Sequence, residues 1–223
     1  MDKQIILNSL KELEDIVILH EEAESISLFD EANGKELTYY FNEYVTPKNL
    51  AKRVYVSRLI PENYKGIFDK GRIVDALLNK IDRNCLLTMN ALFIIHDNEG
   101  DEEDFEDNKD RIALMEHVGG DEYASEVGLG NIGVTWWEKN ICIINAARII
   151  ATSQDTCEEL DGNDYYVQKE TEIGMWTTII HELRHLLLDT NIILPEDEYP
   201  VELAVEEAVE EYCRAYYEGV FLK

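Results

Sequence analysis

His181, Glu182 and His185 stand as H-E-L-R-H inside the run EIGMWTTIIHELRHLLLD, whose Ile173, Trp176, Ile180, Leu183 and Leu187 keep helical spacing. At about 100° per residue, positions i and i+4 return to one helix face a turn apart, so the two imidazoles can converge on one zinc ion. Glu182 is rotated by one residue from His181, beside the metal and not on it, where a carboxylate serves as general base. With five histidines and 47 acidic residues in 223, chance supplies an H-[DE]-x-x-H string ~0.02 times per chain. The chemistry this set would perform is hydrolysis of an amide. Zinc lowers the pKa of a water toward ~7 and polarises the carbonyl, while Glu182 takes the water's proton and passes it to the leaving amine.

A catalytic zinc keeps three protein ligands and an open fourth position. The extended pattern H-E-x-x-H-x-x-G-x-x-H is excluded, because Leu188 stands in place of its glycine, Asn191 in place of its third histidine, and no histidine follows His185. The third ligand is therefore expected among downstream carboxylates, with an upstream group such as His117 as the alternative. The last helical segment offers Glu202, Glu206, Glu207, Glu210 and Glu211.

Here the chain resembles the gluzincins, the zincin metallopeptidases that take a third ligand as Glu from a following helix. The run Glu206-Glu207-Ala208-Val209-Glu210-Glu211-Tyr212 is similar to the N-E-x-x-x-D motif of thermolysin-like enzymes and to the N-E-G-F-A-E-Y motif of a group of aminopeptidases, with Glu206 in place of their Asn. Both registers imply Glu207 as zinc ligand and Glu211 as the carboxylate that supports a zinc histidine. A looser similarity is to the ImmA/IrrE family of cytosolic metallopeptidases, whose ligand Glu precedes an Ala. The helical wheel is less decided. Val201, Val205, Val209, Tyr212 and Tyr216 form the apolar stripe with Glu207 nearly opposite Val205, while Ala204, Ala208 and Ala215 make a small-residue flank with Glu211 at its centre and Glu207 at its edge. Glu207 is the expected ligand, and Glu211 and Glu206 stay open. A donor to the oxyanion is expected from His117, Tyr123, Tyr165, Tyr166 or Tyr199.

The elements that must position these residues fall into three stretches. Residues 1–96 read as mostly helical. They comprise an amphipathic helix through Ile6, Leu10, Leu13 and Val17, a hairpin over about 25–41 turning at Asn33-Gly34, a helix from Thr46-Pro47 to Ile60, and a longer helical stretch over 71–95 broken near Asn84. Residues 97–110 carry nine acidic residues against one Lys, an acidic loop or linker. It does not fit a calcium loop, since Glu102 occupies the sixth position where the loop needs glycine. Residues 111–223 read as a zincin-like domain. RIALMEHV, IGVTWWE and ICIIN are its short strands, followed by the motif helix and a last helix ending at Gly219. The fold expected is α+β, a small mixed sheet packed on the active-site helix and a C-terminal ligand-bearing helix.

The formal charge is −27, which repels phosphate backbones and anionic lipid headgroups, and no Lys/Arg cluster reverses it locally. Direct nucleic-acid and membrane binding are thus disfavoured, and a peptide or protein is the expected partner. Without an export signal or a CxxC pair, Cys85, Cys142, Cys157 and Cys213 read as reduced thiols in a cytoplasmic protein. The rival class is a non-catalytic acidic interaction protein, either a nucleic-acid mimic or an inactive zincin relative, which accounts for the charge but not for the histidine motif.

Overall fold

Alternating apolar and polar residues between positions 16 and 40 pair as one antiparallel sheet of β1 (Ile16–Glu21), β2 (Ser25–Asp30) and β3 (Lys35–Tyr40), in that order. The computed structural model describes residues 7–8, 10–11, 15–31, 34–41, 44–81, 83–96, 132–136, 139–158, 163–188 and 206–222. Ile26 opposes Tyr39 and Leu28 opposes Leu37, all four buried, and a one-residue slip would turn that whole set to solvent. The expected hairpin is present with a longer turn. Asp30 pairs with Lys35, so four residues connect the strands instead of two. Gly34 there takes φ +63°, a left-handed conformation that costs glycine nothing, and Asn33 lies outside the described residues. The first helix is shorter than its spacing suggests. Residues 7–8 and 10–11 are helical with Leu7 and Leu10 buried, but Val17 sits in β1, 42% exposed. The β-branched run IVI suits a pleated strand, and pairing with β2 overrides the helical spacing.

Thr46 caps α1 (Pro47–Arg53), its hydroxyl accepting from the Asn49 N–H at 3.3 Å, with Pro47 in the first turn. The helix expected to reach Ile60 stops at Arg53, because Val54–Val56 forms β4. Asp69 caps α2 (Lys70–Lys80) by accepting from the Arg72 N–H at 2.8 Å. A 3-10 turn over Arg83–Leu86 leads to β5 (Ala91–Ile95). The stretch 71–95 is therefore helical only to Lys80, and the mostly helical reading of residues 1–96 is corrected: the described residues there supply five strands. ALFII is a short unbroken apolar run, and periodicity does not separate a strand buried on both faces from a buried helix.

Beyond the acidic stretch, which with RIALMEHV lies outside the described residues, come β6 (Gly133–Trp136) and β7 (Ile141–Asn145), an antiparallel pair as expected. Among the described residues the second sheet has the order β4-β5-β7-β6, with β4, β5 and β7 parallel and β6 antiparallel at the edge. It draws two strands from residues 1–96 and two from 111–223, so the two stretches share one sheet. All residues of β5 and β7 except Asn145 are apolar, and every one is buried. Leu92, Ile94, Cys142 and Ile144 join the main core on one face, and Ala91, Phe93, Ile95, Ile141 and Ile143 pack with Trp136 on the other. An unforeseen helix, α3 (Ala146–Glu158), follows directly. The motif helix is α4 (Asp164–Leu188), and the last is α5 (Glu206–Phe221), which continues past Gly219.

The architecture is α+β, a mixed sheet lying against α4, with α3 and α5 also packed on that helix. Phe221 of α5 meets Trp176 of α4 at a ring-centroid distance of 4.6 Å, and Lys80 of α2 places its ammonium 4.6 Å from the Phe221 ring. Among the described residues no helix is long and apolar enough to cross a membrane.

Arg53 joins the two sheets. It is 8% exposed, its Nη1 donates to the carbonyls of Leu86 (3.0 Å) and Met89 (2.6 Å), and its guanidinium lies 4.3 Å from the Tyr40 ring of β3. Burial lowers its pKa, the nearby Tyr40 working in the opposite sense. Among the described residues Nε and Nη2 find no partner, so part of the desolvation cost is uncompensated, but losing the side chain strands two buried carbonyls. The carbonyls decide the sign: Arg53→Met should lower the unfolding free energy by about 2 kcal/mol, read from urea denaturation. An unchanged midpoint would show that Arg53 is not an anchor.

Candidate active site

In α4 the core stripe runs through Val167, Thr171, Met175, Ile179, Leu183 and Leu186, each buried. This stripe sets the rotation of the helix. His181 and His185 fall on a partly exposed face, one turn apart, with their Nε2 atoms 2.9 Å apart and their rings edge to face at a centroid distance of 4.6 Å. Glu182, one position round, is turned inward and only 5% exposed.

What Glu182 meets there is the edge strand. The Thr135 hydroxyl lies 2.6 Å from Glu182 Oε2 and 2.9 Å from the Glu182 carbonyl oxygen. Two residues earlier on the same strand face, Gly133 packs so closely that a Cβ would sit 2.5 Å from Glu182 Oε1 and 2.5 Å from Thr178 Cγ2. Helix and strand can approach to this distance only because residue 133 has no side chain. Cys142, opposite Thr135 in the β6–β7 pair, places Sγ 4.0 Å from the same hydroxyl. Burial pushes the Cys142 thiol well above the usual range, the Glu182 charge adds to this, the hydrogen bond with Thr135 partly offsets it, and Cys85 adds a smaller contribution. Cys85, Cys142 and Cys157 are buried and, among the described residues, form no disulfide.

The pair of histidines fits a metal. Zinc–nitrogen bonds of ~2.0–2.1 Å put two tetrahedral ligand nitrogens ~3.3 Å apart, so the rings need open only a few tenths of an ångström. Among the described residues, however, no group of three or more His, Cys, Asp or Glu side chains could hold an ion. Glu207 is helical, in the first turn of α5, and its side chain lies outside the described residues, as do those of Glu206, Glu210 and Glu211. Glu202, His117, Tyr123 and Tyr199 are outside as well. Tyr165 and Tyr166 are described, and they are not oxyanion donors. Sixteen and fifteen residues before His181 on one continuous helix, they stand ~22–24 Å away along its axis and are 67% and 51% exposed.

Thr135, Gly133 and Cys142 are the residues that sequence reasoning missed. Only Gly133 carried a local signal, an isolated glycine in a strand marking a close backbone approach. Comparison of the chain with protein-family models, characterised proteins and solved structures returns no match.

The Cys142 environment generates a pH prediction. A thiol whose folded pKa lies above its ordinary value of 9.0 contributes stability that is complete below that value and is lost as pH rises toward the folded pKa, because the unfolded chain then sheds the proton first. Tyr40 and Tyr217, both raised above 10.0 chiefly by burial, add loss of the same sign at higher pH. Unfolding free energy should therefore fall as pH rises above 9, and Cys142→Ala should flatten that slope. An equally steep slope in the variant would refute the assignment to Cys142.

Proposed function

We propose that this chain is a zinc-dependent metallopeptidase of the gluzincin kind, in which His181, His185 and Glu207 hold one zinc ion and Glu182 is the general base. The observation that carries the reading is the convergence of the two histidine Nε2 atoms to 2.9 Å beside a buried Glu182. Two neutral imidazoles at that distance share a single proton, and a cation between them satisfies both nitrogens at once.

Bound zinc would supply Lewis acidity for the scissile carbonyl and for a water. The chain's own residues do the rest. Glu182 accepts the proton of the attacking water and returns it to the departing amine, and its burial keeps bulk water from competing for that proton. Among the described residues β6 ends the sheet next to Glu182, and an extended peptide could add to such an edge through main-chain hydrogen bonds. The net charge of −27 favours a peptide or protein partner over nucleic acid or an anionic membrane. Three buried cysteines that form no disulfide among the described residues suit the reducing cytoplasm.

Elemental analysis of protein purified without added metal should find one zinc per chain, and His181→Ala or His185→Ala should abolish it. Glu182→Gln should keep the zinc while hydrolysis of a peptide library, itself chelator-sensitive, disappears. Loss of metal in that variant would make Glu182 a ligand and undo the mechanism. In competition with a chelator of known affinity, Glu207→Ala should weaken zinc most and Glu211→Ala by about 10- to 100-fold, as for a carboxylate that orients a histidine. Glu202→Ala and Glu210→Ala should scarcely matter. A chain that holds no metal after purification points instead to an acidic interaction protein.

A further inference from the structure

β6 turns two residues toward α4, and both meet one side chain. Thr135 Oγ1 stands 2.6 Å from Glu182 Oε2, the short separation of a hydroxyl donating to a carboxylate, while beside the other oxygen Gly133 leaves the space that a Cβ, 2.5 Å from Oε1, would fill. Thr135 has one proton and two acceptors within reach. The Glu182 carbonyl at 2.9 Å is the longer and neutral one, and a charged acceptor makes a hydrogen bond roughly twice as strong. Cys142 Sγ is 4.0 Å from Thr135 Oγ1, a longer contact in which either atom can donate, so the charged carboxylate remains the strongest acceptor in reach of the Thr135 proton.

Resting on the peptidase reading, we propose that Thr135 is a positioning residue for Glu182: its hydroxyl pins Oε2 against the edge strand, and Gly133 is the space that lets the carboxylate lie there. A glutamate carries three rotatable bonds, and a base must stand within about 2.6–3.2 Å of the proton it takes. Displacing such a group by about 1 Å costs on the order of 10²-fold in rate. Removing the Thr135 hydroxyl releases the carboxylate without touching zinc or the peptide-binding edge. The loss therefore falls on turnover and not on substrate affinity.

The test uses the full zinc-loaded chain and one peptide identified in the library digest. Thr135→Val, close in shape but without a donor, should lower kcat by about 10- to 100-fold with KM and zinc content unchanged. Thr135→Ser, which keeps the hydroxyl, should restore most of it. A second measurement needs no activity: Thr135→Val and Glu182→Ala, singly and together, in urea unfolding. Their effects should be non-additive by about tenfold or more in the unfolding equilibrium constant, as for a buried hydrogen bond to a charged group. Additive effects, an unchanged kcat in Thr135→Val, or a loss of zinc in that variant would each overturn the proposal. If the zinc-loaded wild-type chain cleaves no peptide, the peptidase reading fails by itself, and the unfolding cycle still decides whether Thr135 holds Glu182.

Discussion

A carboxylate buried between a strand and a helix must be hydrogen-bonded or it forfeits several kcal/mol of hydration, and the arrangement around α4 satisfies that demand for Glu182. The helix approaches β6 closely enough for the Thr135 hydroxyl to reach Oε2 at 2.6 Å, which is possible only where Gly133 leaves the gap. The same approach turns the neighbouring face of α4 outward, with His181 and His185 side by side. The buried stripe of α4 and this contact together set the burial of Glu182 and the exposure of the two histidines.

The sheet makes that contact stiff. β6 is held by β7, and β7 by β5, with apolar side chains buried on both faces. Moving Thr135 relative to α4 means disturbing close-packed side chains, and interiors of that density resist such shifts. α5 is anchored on the same helix through Phe221 and Trp176, so the carboxylate-rich segment that begins at Glu206 belongs to a helix already fixed against α4. Arg53 plays the comparable part between the sheets, its buried charge spread over two carbonyls and the face of Tyr40.

Where the reading from residues and the folded chain part company, the cause is the same in each case. Val17, in a run with helical spacing, ends in β1 because β2 offers it a ladder, and residues 91–95, apolar throughout, form β5 because β4 and β7 flank them. Local pattern carries no information about such partners. α3 went unforeseen for a related reason: its N-cap, Asn145, whose Oδ1 accepts from the Ala147 N–H at 3.1 Å, is also the last residue of β7, so the start of the helix is merged with the end of the run ICIIN that reads as a strand.

Composition and spacing were enough for what depends on a few neighbouring residues. They determined the helical context of H-E-L-R-H, the return of His181 and His185 to one face, the Thr46-Pro47 helix start, the hairpin and the antiparallel pair before α3. Each of these follows from backbone periodicity or local turn chemistry, which act over a few residues. The tertiary structure alone decided that Glu182 faces Thr135, that Cys142 lies behind them, and that Tyr165 and Tyr166 are far from the histidines. Thr135 and Glu182 are 47 positions apart, and no local rule links such residues. Only the burial of the β6–β7 pair against α4 brings them together.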